Sequence, residues 1–165
     1  MLKLSLDSIN YHAPYKIILS ADGVFSFTTD EAYVYEIGFV EDHMISVDNA
    51  YQFFIMPKST PNVQQDEKIR QTVTAIIEEF FQSNDVLLDY ICDTKDGRQK
   101  ARNRLFTLWY NNYPNKHLYT LRTISIEFDG VPYFASAIIR KDNPNYEEYM
   151  TAIDAFAVEM EEKLR

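Results

Sequence analysis

Apolar and polar residues alternate through much of the first 58 positions, and the spacing then changes to threes and fours, so strands come first and helices follow. Tyr15–Ser20 is a short apolar run, Val24–Thr29 and Ala32–Glu41 come next, and Ala50–Met56 closes the set. In the third run Tyr33, Tyr35, Ile37 and Phe39 alternate with Val34, Glu36, Gly38 and Val40, the period of a strand. Asp22-Gly23 and Thr29-Asp30-Glu31 supply turn chemistry between the runs, and the pattern predicts an antiparallel meander.

From about Gln64 to Gln82 the apolar positions Ile69, Val73, Ile76, Ile77 and Phe80 fall on one helical face, opposite Lys68, Arg70, Gln71, Glu78 and Glu79. Pro57 and Pro61 mark the approach to this helix. Val86–Cys92 is a nearly continuous apolar run suited to a central strand, and Asp96–Asn112 reads as a second helix. Leu118–Phe128 and Val131–Arg140 predict a hairpin about Asp129-Gly130, a dipeptide that accepts the positive φ angles of a type I′ turn. Pairing Phe128 with Val131 puts Ile124, Ile126, Tyr133, Ala135 and Ala137 on one face, the expected core side. A last helix is expected with Asn143 as its cap and Pro144 at its first position, running to about Leu164. Its apolar stripe holds Tyr146, Tyr149, Met150, Ile153, Phe156, Ala157, Met160 and Leu164, and its other face is strongly acidic. The predicted class is therefore α+β, an antiparallel or mixed sheet packed by three helices, in a single domain over residues 1–165.

Composition agrees with that size of core: 46% of the 165 residues are hydrophobic and 15% aromatic. The lone Cys92 excludes an internal disulfide and suits a reducing compartment. The start, MLKLSLDSINYHAPYK, lacks an apolar stretch of signal-peptide length, and nowhere do about 18 apolar residues run together. A cytoplasmic protein without membrane contact is expected. The net charge of −9 opposes attraction to nucleic acid, which is not an expected partner outside a local basic patch.

Such a patch exists. Lys95, Arg98, Lys100, Arg102 and Arg104 place five of the 16 cations within ten residues, against one carboxylate, Asp96. On a helical wheel Ala101, Leu105, Phe106, Leu108 and Trp109 share an arc that also takes Arg98 and Arg102. An arginine keeps its proton in a protein, so these two require carboxylate partners or a cleft. Asp89, Asp93 and Asp96 are the candidate partners for an internal ion pair, with Asp96 also the expected cap of the helix and Gln99 at its third position. The functional alternative is an anion- or partner-binding site at the strand-to-helix junction, formed by Arg98, Arg102 and Arg104 with Asp93 and Asp96. The segment has one glycine and no Gly-Lys-Ser/Thr run, so it is not a phosphate loop.

The run YICDTKDGRQKARNRLFTLWY, preceded by IIEEFF, with FTTDEAYVYEIGF early and IIRKDNPNY late, resembles an uncharacterised protein family found mainly in Bacteroidota. The resemblance spans nearly the whole chain and is most specific from Cys92 to Phe106. It implies a small single cytoplasmic domain and carries over no catalytic residue.

Catalytic arrangements are sparse. Three strands, a helix, a strand ending in Asp93 and another helix match the element order of ribonuclease H-like nucleases, in which Asp30, Glu78 or Glu79, and Asp93 would hold metal. His12, His43 and His117 are isolated, no zinc spacing occurs, and Cys92 reads as a buried small hydrophobe. The sequence thus favours a binding or interaction module without a cofactor, working with a protein partner or a second copy of itself. A metal-dependent nuclease or phosphodiesterase is the alternative.

Overall fold

The computed structural model describes residues 2–58, 66–92, 94 and 97–163. Among the described residues seven strands pair in the order β1-β2-β3-β4-β5-β7-β6, a mixed sheet, and four α-helices accompany them, so the α+β class holds. The chain divides into two compact units, Met1–Val40 with Phe53–Asp85 and Glu41–Gln52 with Val86–Arg165.

The first unit contains the expected meander. β1 (Ile18–Leu19), β2 (Phe25–Thr28) and β3 (Val34–Glu41) are antiparallel neighbours, with Phe25 opposite Ile37 and Phe27 opposite Tyr35. Alternation buries those four side chains, and the Tyr15, Phe27 and Tyr35 rings stack in a row at 5.8 and 5.4 Å. α2 (Glu67–Ser83) starts on Asp66, whose carboxylate accepts the Lys68 amide at 2.8 Å; the first two residues of the predicted helix, 64 and 65, lie outside the described residues. The Tyr15 hydroxyl donates to the same Asp66 at 2.7 Å, and burial together with that carboxylate pushes the phenol up to about 12.

One helix of this unit was not expected. α1 (Leu6–His12) is seven residues long and buries Ile9, too short a stretch to show a helical period. A contact remote in sequence holds it: Ser5 caps the helix by accepting the Ser8 amide, and the Ser5 amide donates to Glu79 Oε1 at 3.0 Å. Burial raises the pKa of Glu79, but hydrogen bonds from Ser83, Ser5 and Ser8 outweigh it and hold the carboxyl below its ordinary range. Glu79→Ala should therefore cost about 1 to 3 kcal/mol and speed amide exchange over residues 6–12. Hydrogen exchange that leaves those amides protected would contradict this role for Glu79. Because the folded pKa is lowered, the stabilisation is present above the ordinary glutamate range and is lost as the pH falls through it.

The second unit is built on β5 (Leu87–Ile91). It runs parallel to the start of β4 (Ala50–Pro57) and antiparallel to β7 (Val131–Arg140), which pairs in turn with β6 (Tyr119–Phe128). The hairpin turns at Asp129 (φ 52°) and Gly130 (φ 76°) and sets Phe128 opposite Val131, as predicted. Of the expected core face, Ala137 is buried and Ile124 packs against the core, whereas Tyr133, nearer the turn, is 38% exposed.

α4 (Tyr146–Lys163) lies over that face with Tyr149 and Ile153 fully buried and Tyr146, Met150 and Phe156 packed around them. It starts two residues later than Pro144; Leu164 lies outside the described residues. Asn143 still organises the entry, accepting the Asn145 amide at 2.8 Å and donating to the Val86 carbonyl. The Tyr149 hydroxyl donates to the Asp48 carbonyl at 3.0 Å, which ties the loop after β3 to α4.

Candidate functional site

α3 (Gln99–Asn111) carries the cationic run, but the predicted stripe is rotated. Gln99 is the buried residue of this helix and donates to the Pro132 carbonyl at 3.0 Å; Phe106 packs on Tyr90 at 5.1 Å, and Trp109 meets Phe106 edge-on at 5.4 Å. Ala101 and Leu108 face outward, Leu108 at 52% exposure. The inward face therefore runs through Gln99, Phe106 and Trp109, because the helix rests on the Tyr90 side of the sheet. Arg98 lies outside the apolar stripe: it occupies the cap position before the helix, exposed and without a side-chain capping bond. The expected cap, Asp96, lies outside the described residues. Arg104 and Lys100 are exposed, and Arg102 is half-buried near Cys92. Burial pushes the Cys92 thiol up to about 11 while the Arg102 charge pulls the other way, so the cysteine stays a thiol at neutral pH. Asp93 and Asp96 lie outside the described residues.

Asp89 does not serve the arginines. Successive residues of a strand point to opposite faces, so Leu88, Tyr90 and Cys92 look toward α3, while Leu87, Asp89 and Ile91 share the face that α4 covers. The internal ion pair expected for Asp89 is accordingly absent, since no cation or other donor group bonds either of its carboxylate oxygens.

Asp89 instead borders a cavity with Asp42, which follows β3. Both are buried, at 4% and 7% exposure. Asp42 is held by its backbone, its amide donating to the Ala50 carbonyl at 2.8 Å, and one of its carboxylate oxygens accepts the Met44 amide at 2.6 Å. Around the two carboxyls the walls are mainly apolar, with Met44, Ile45, Ile91, Ile124, Ile153 and Phe156 among them. Burial is the main reason that Asp89 holds its proton up to about 9; the side chain of Asp42 adds to it by hydrogen bonding and by its charge. Asp89 thus keeps its proton at neutral pH. A groove of about 490 Å³ adjoins at Met44 and Phe156, lined also by Val47, Ala152, Glu147, Glu148 and Glu159. Sequence reasoning noted Asp89 only as an ion-pair partner; the signal was a lone carboxylate in the middle of VLLDYIC.

Of the carboxylates named for the nuclease alternative, Asp30 and Glu79 are engaged separately, and Asp93 lies outside the described residues. Asp30 pairs with Lys68 at 2.8 Å, and Glu79 serves Ser5 and Ser83. Among the described residues no three His, Cys, Asp or Glu side chains come together as a metal-binding group. No described helix is long and apolar enough to cross a membrane.

The model of a family of unknown function matches residues 65–155, a span that includes α2, β5 with Asp89, α3, the hairpin and the first half of α4. No curated protein matches the chain.

Proposed function

The chain belongs to that family of unknown function, DUF6169, and from this premise we propose that it is a binding or interaction module that takes an anionic group on the cationic side of α3. The observation that carries the reading is the exposure of Arg98, Lys100 and Arg104 on one short stretch of a chain whose net charge is −9. Cations concentrated in this way against an acidic background steer an anionic partner to one place and orient it. Arg102, half-buried on the same helix, adds a further cation to the run; Asp93 and Asp96, named for the same junction, lie outside the described residues. The partner surface in this reading is an acidic protein face, including that of a second copy, for which the exposed Glu147, Glu148, Glu159 and Glu161 of α4 are suited. A cytoplasmic setting fits the single, buried cysteine.

Titration of the labelled full chain with inorganic phosphate tests the reading. Amide signals of residues 97–104 are expected to shift and saturate, and Arg98→Ala/Arg104→Ala to weaken the response on the order of tenfold, with strong dependence on salt. Signals that stay in place, or that shift equally in the double variant, would remove α3 as the anion site.

A further inference from the structure

A carboxyl at position 89 has no architectural reason to be there. Leu87 and Ile91 flank it on the same strand face, and an aliphatic residue would complete the row without placing a polar group in an apolar wall. Yet neither oxygen of Asp89 receives a hydrogen bond from a donor group of the protein; the carboxyl stands beside the acid Asp42, at the edge of a cavity with about 20 Å³ of room, the space of one water or one ammonium group. Met44 and Ile91, which line the same cavity, are 51% and 42% exposed, so apolar surface continues from the carboxyls outward.

We propose that this cavity receives a primary alkylammonium group, its –NH3+ lodged between Asp42 and Asp89 and its carbon chain lying along Met44, Ile91 and Phe156. The chemistry follows from what the walls provide. An ammonium head is compact and donates three hydrogen bonds, which two carboxyls can accept, and its aliphatic stem replaces water against the hydrophobic lining. A guanidinium is a broad planar fork and exceeds the space. A divalent cation asks for six or more oxygen ligands, and this lining is mostly hydrocarbon. The adjoining groove, with Glu147, Glu148 and Glu159, adds negative charge outside the cavity.

Binding is linked to a proton. An arriving cation favours the ionised pair, so Asp89 releases its proton to solvent and affinity rises with pH until the amine itself loses its proton. The cavity's own titratable groups are Asp42 and Asp89. Around them, Arg122 of β6 and Asp154 of α4 pair with each other, and His43, Asp48 and Glu148 border the loop side of Asp42.

Calorimetry on the full chain tests the site with n-butylamine, with n-butanol as the uncharged control, and with the peptide Gly-Gly-Lys-Gly-Gly. Butylamine should bind with proton release, on the order of tenfold more tightly at pH 8.5 than at pH 6.5, and butanol should not. Asp89→Asn and Asp42→Asn, each first shown to be folded by its amide spectrum, should each lower the affinity at least about tenfold. Binding of butylamine assigns the site to free amines, and binding of the peptide alone assigns it to a lysine side chain of a partner. If neither binds, or if both aspartate variants bind as well as the native chain, the proposal is overturned.

Discussion

Asparagine in place of Asp89 is expected to make the protein more stable than the native chain at pH 7, by about 2 kcal/mol, and the gain should grow with pH. Burial holds the Asp89 proton up to about 9, with help from the hydrogen bond and charge of Asp42, whereas in the unfolded chain the same carboxyl ionises in the ordinary aspartate range. Between these limits the folded state binds more protons than the unfolded one. Stability attached to this group is therefore fully present below the unfolded pKa and is lost as pH rises toward 9, by at most about 1.4 kcal/mol per pH unit. Asparagine has the shape of the protonated acid and still donates to Asp42, but it has no proton to lose. Relaxation around the pair and its coupling to Asp42 reduce the gain below the full linkage value. Urea unfolding at pH 5, 7 and 8.5 checks the expectation: the difference between variant and native chain should widen with pH. Parallel curves would mean that Asp89 is ionised in the folded protein.

Phe80→Ala should cost about 3 to 5 kcal/mol, a large part of the 5 to 15 kcal/mol that holds a typical domain together. Phe80 is fully buried, stacks on Phe39 at 4.3 Å and meets Phe81 edge-on at 5.2 Å. Alanine there removes a ring from both contacts and leaves a cavity that the neighbouring strand and helix cannot close without losing their own packing. Phe80→Leu keeps most of the volume and should recover more than half of the loss. Denaturant midpoints for the pair decide it, and a cost below about 1 kcal/mol for alanine would show that the first unit repacks.

Most elements of this fold were legible in the chain because their causes are local. Alternation marked β2 and β3, and the threefold and fourfold spacing marked α2 and α4. Asp129-Gly130 announced its hairpin and even its register, because the turn type dictates which residues face each other. α1 escaped because seven residues carry too little period, and its stability comes from Glu79, far along the chain. The cationic run was equally plain, but the face it presents was not: α3 turns Gln99, Phe106 and Trp109 inward because Tyr90 is what lies beneath it. The same holds for Asp89. Its chain neighbours show that it shares a strand face with Leu87 and Ile91, and nothing within VLLDYIC says which helix covers that face or that Asp42 meets it there. Periodicity records which side chains of one segment point the same way, whereas the meeting of two faces depends on contacts between segments remote in sequence. The cavity with its two carboxyls belongs to that second kind of information.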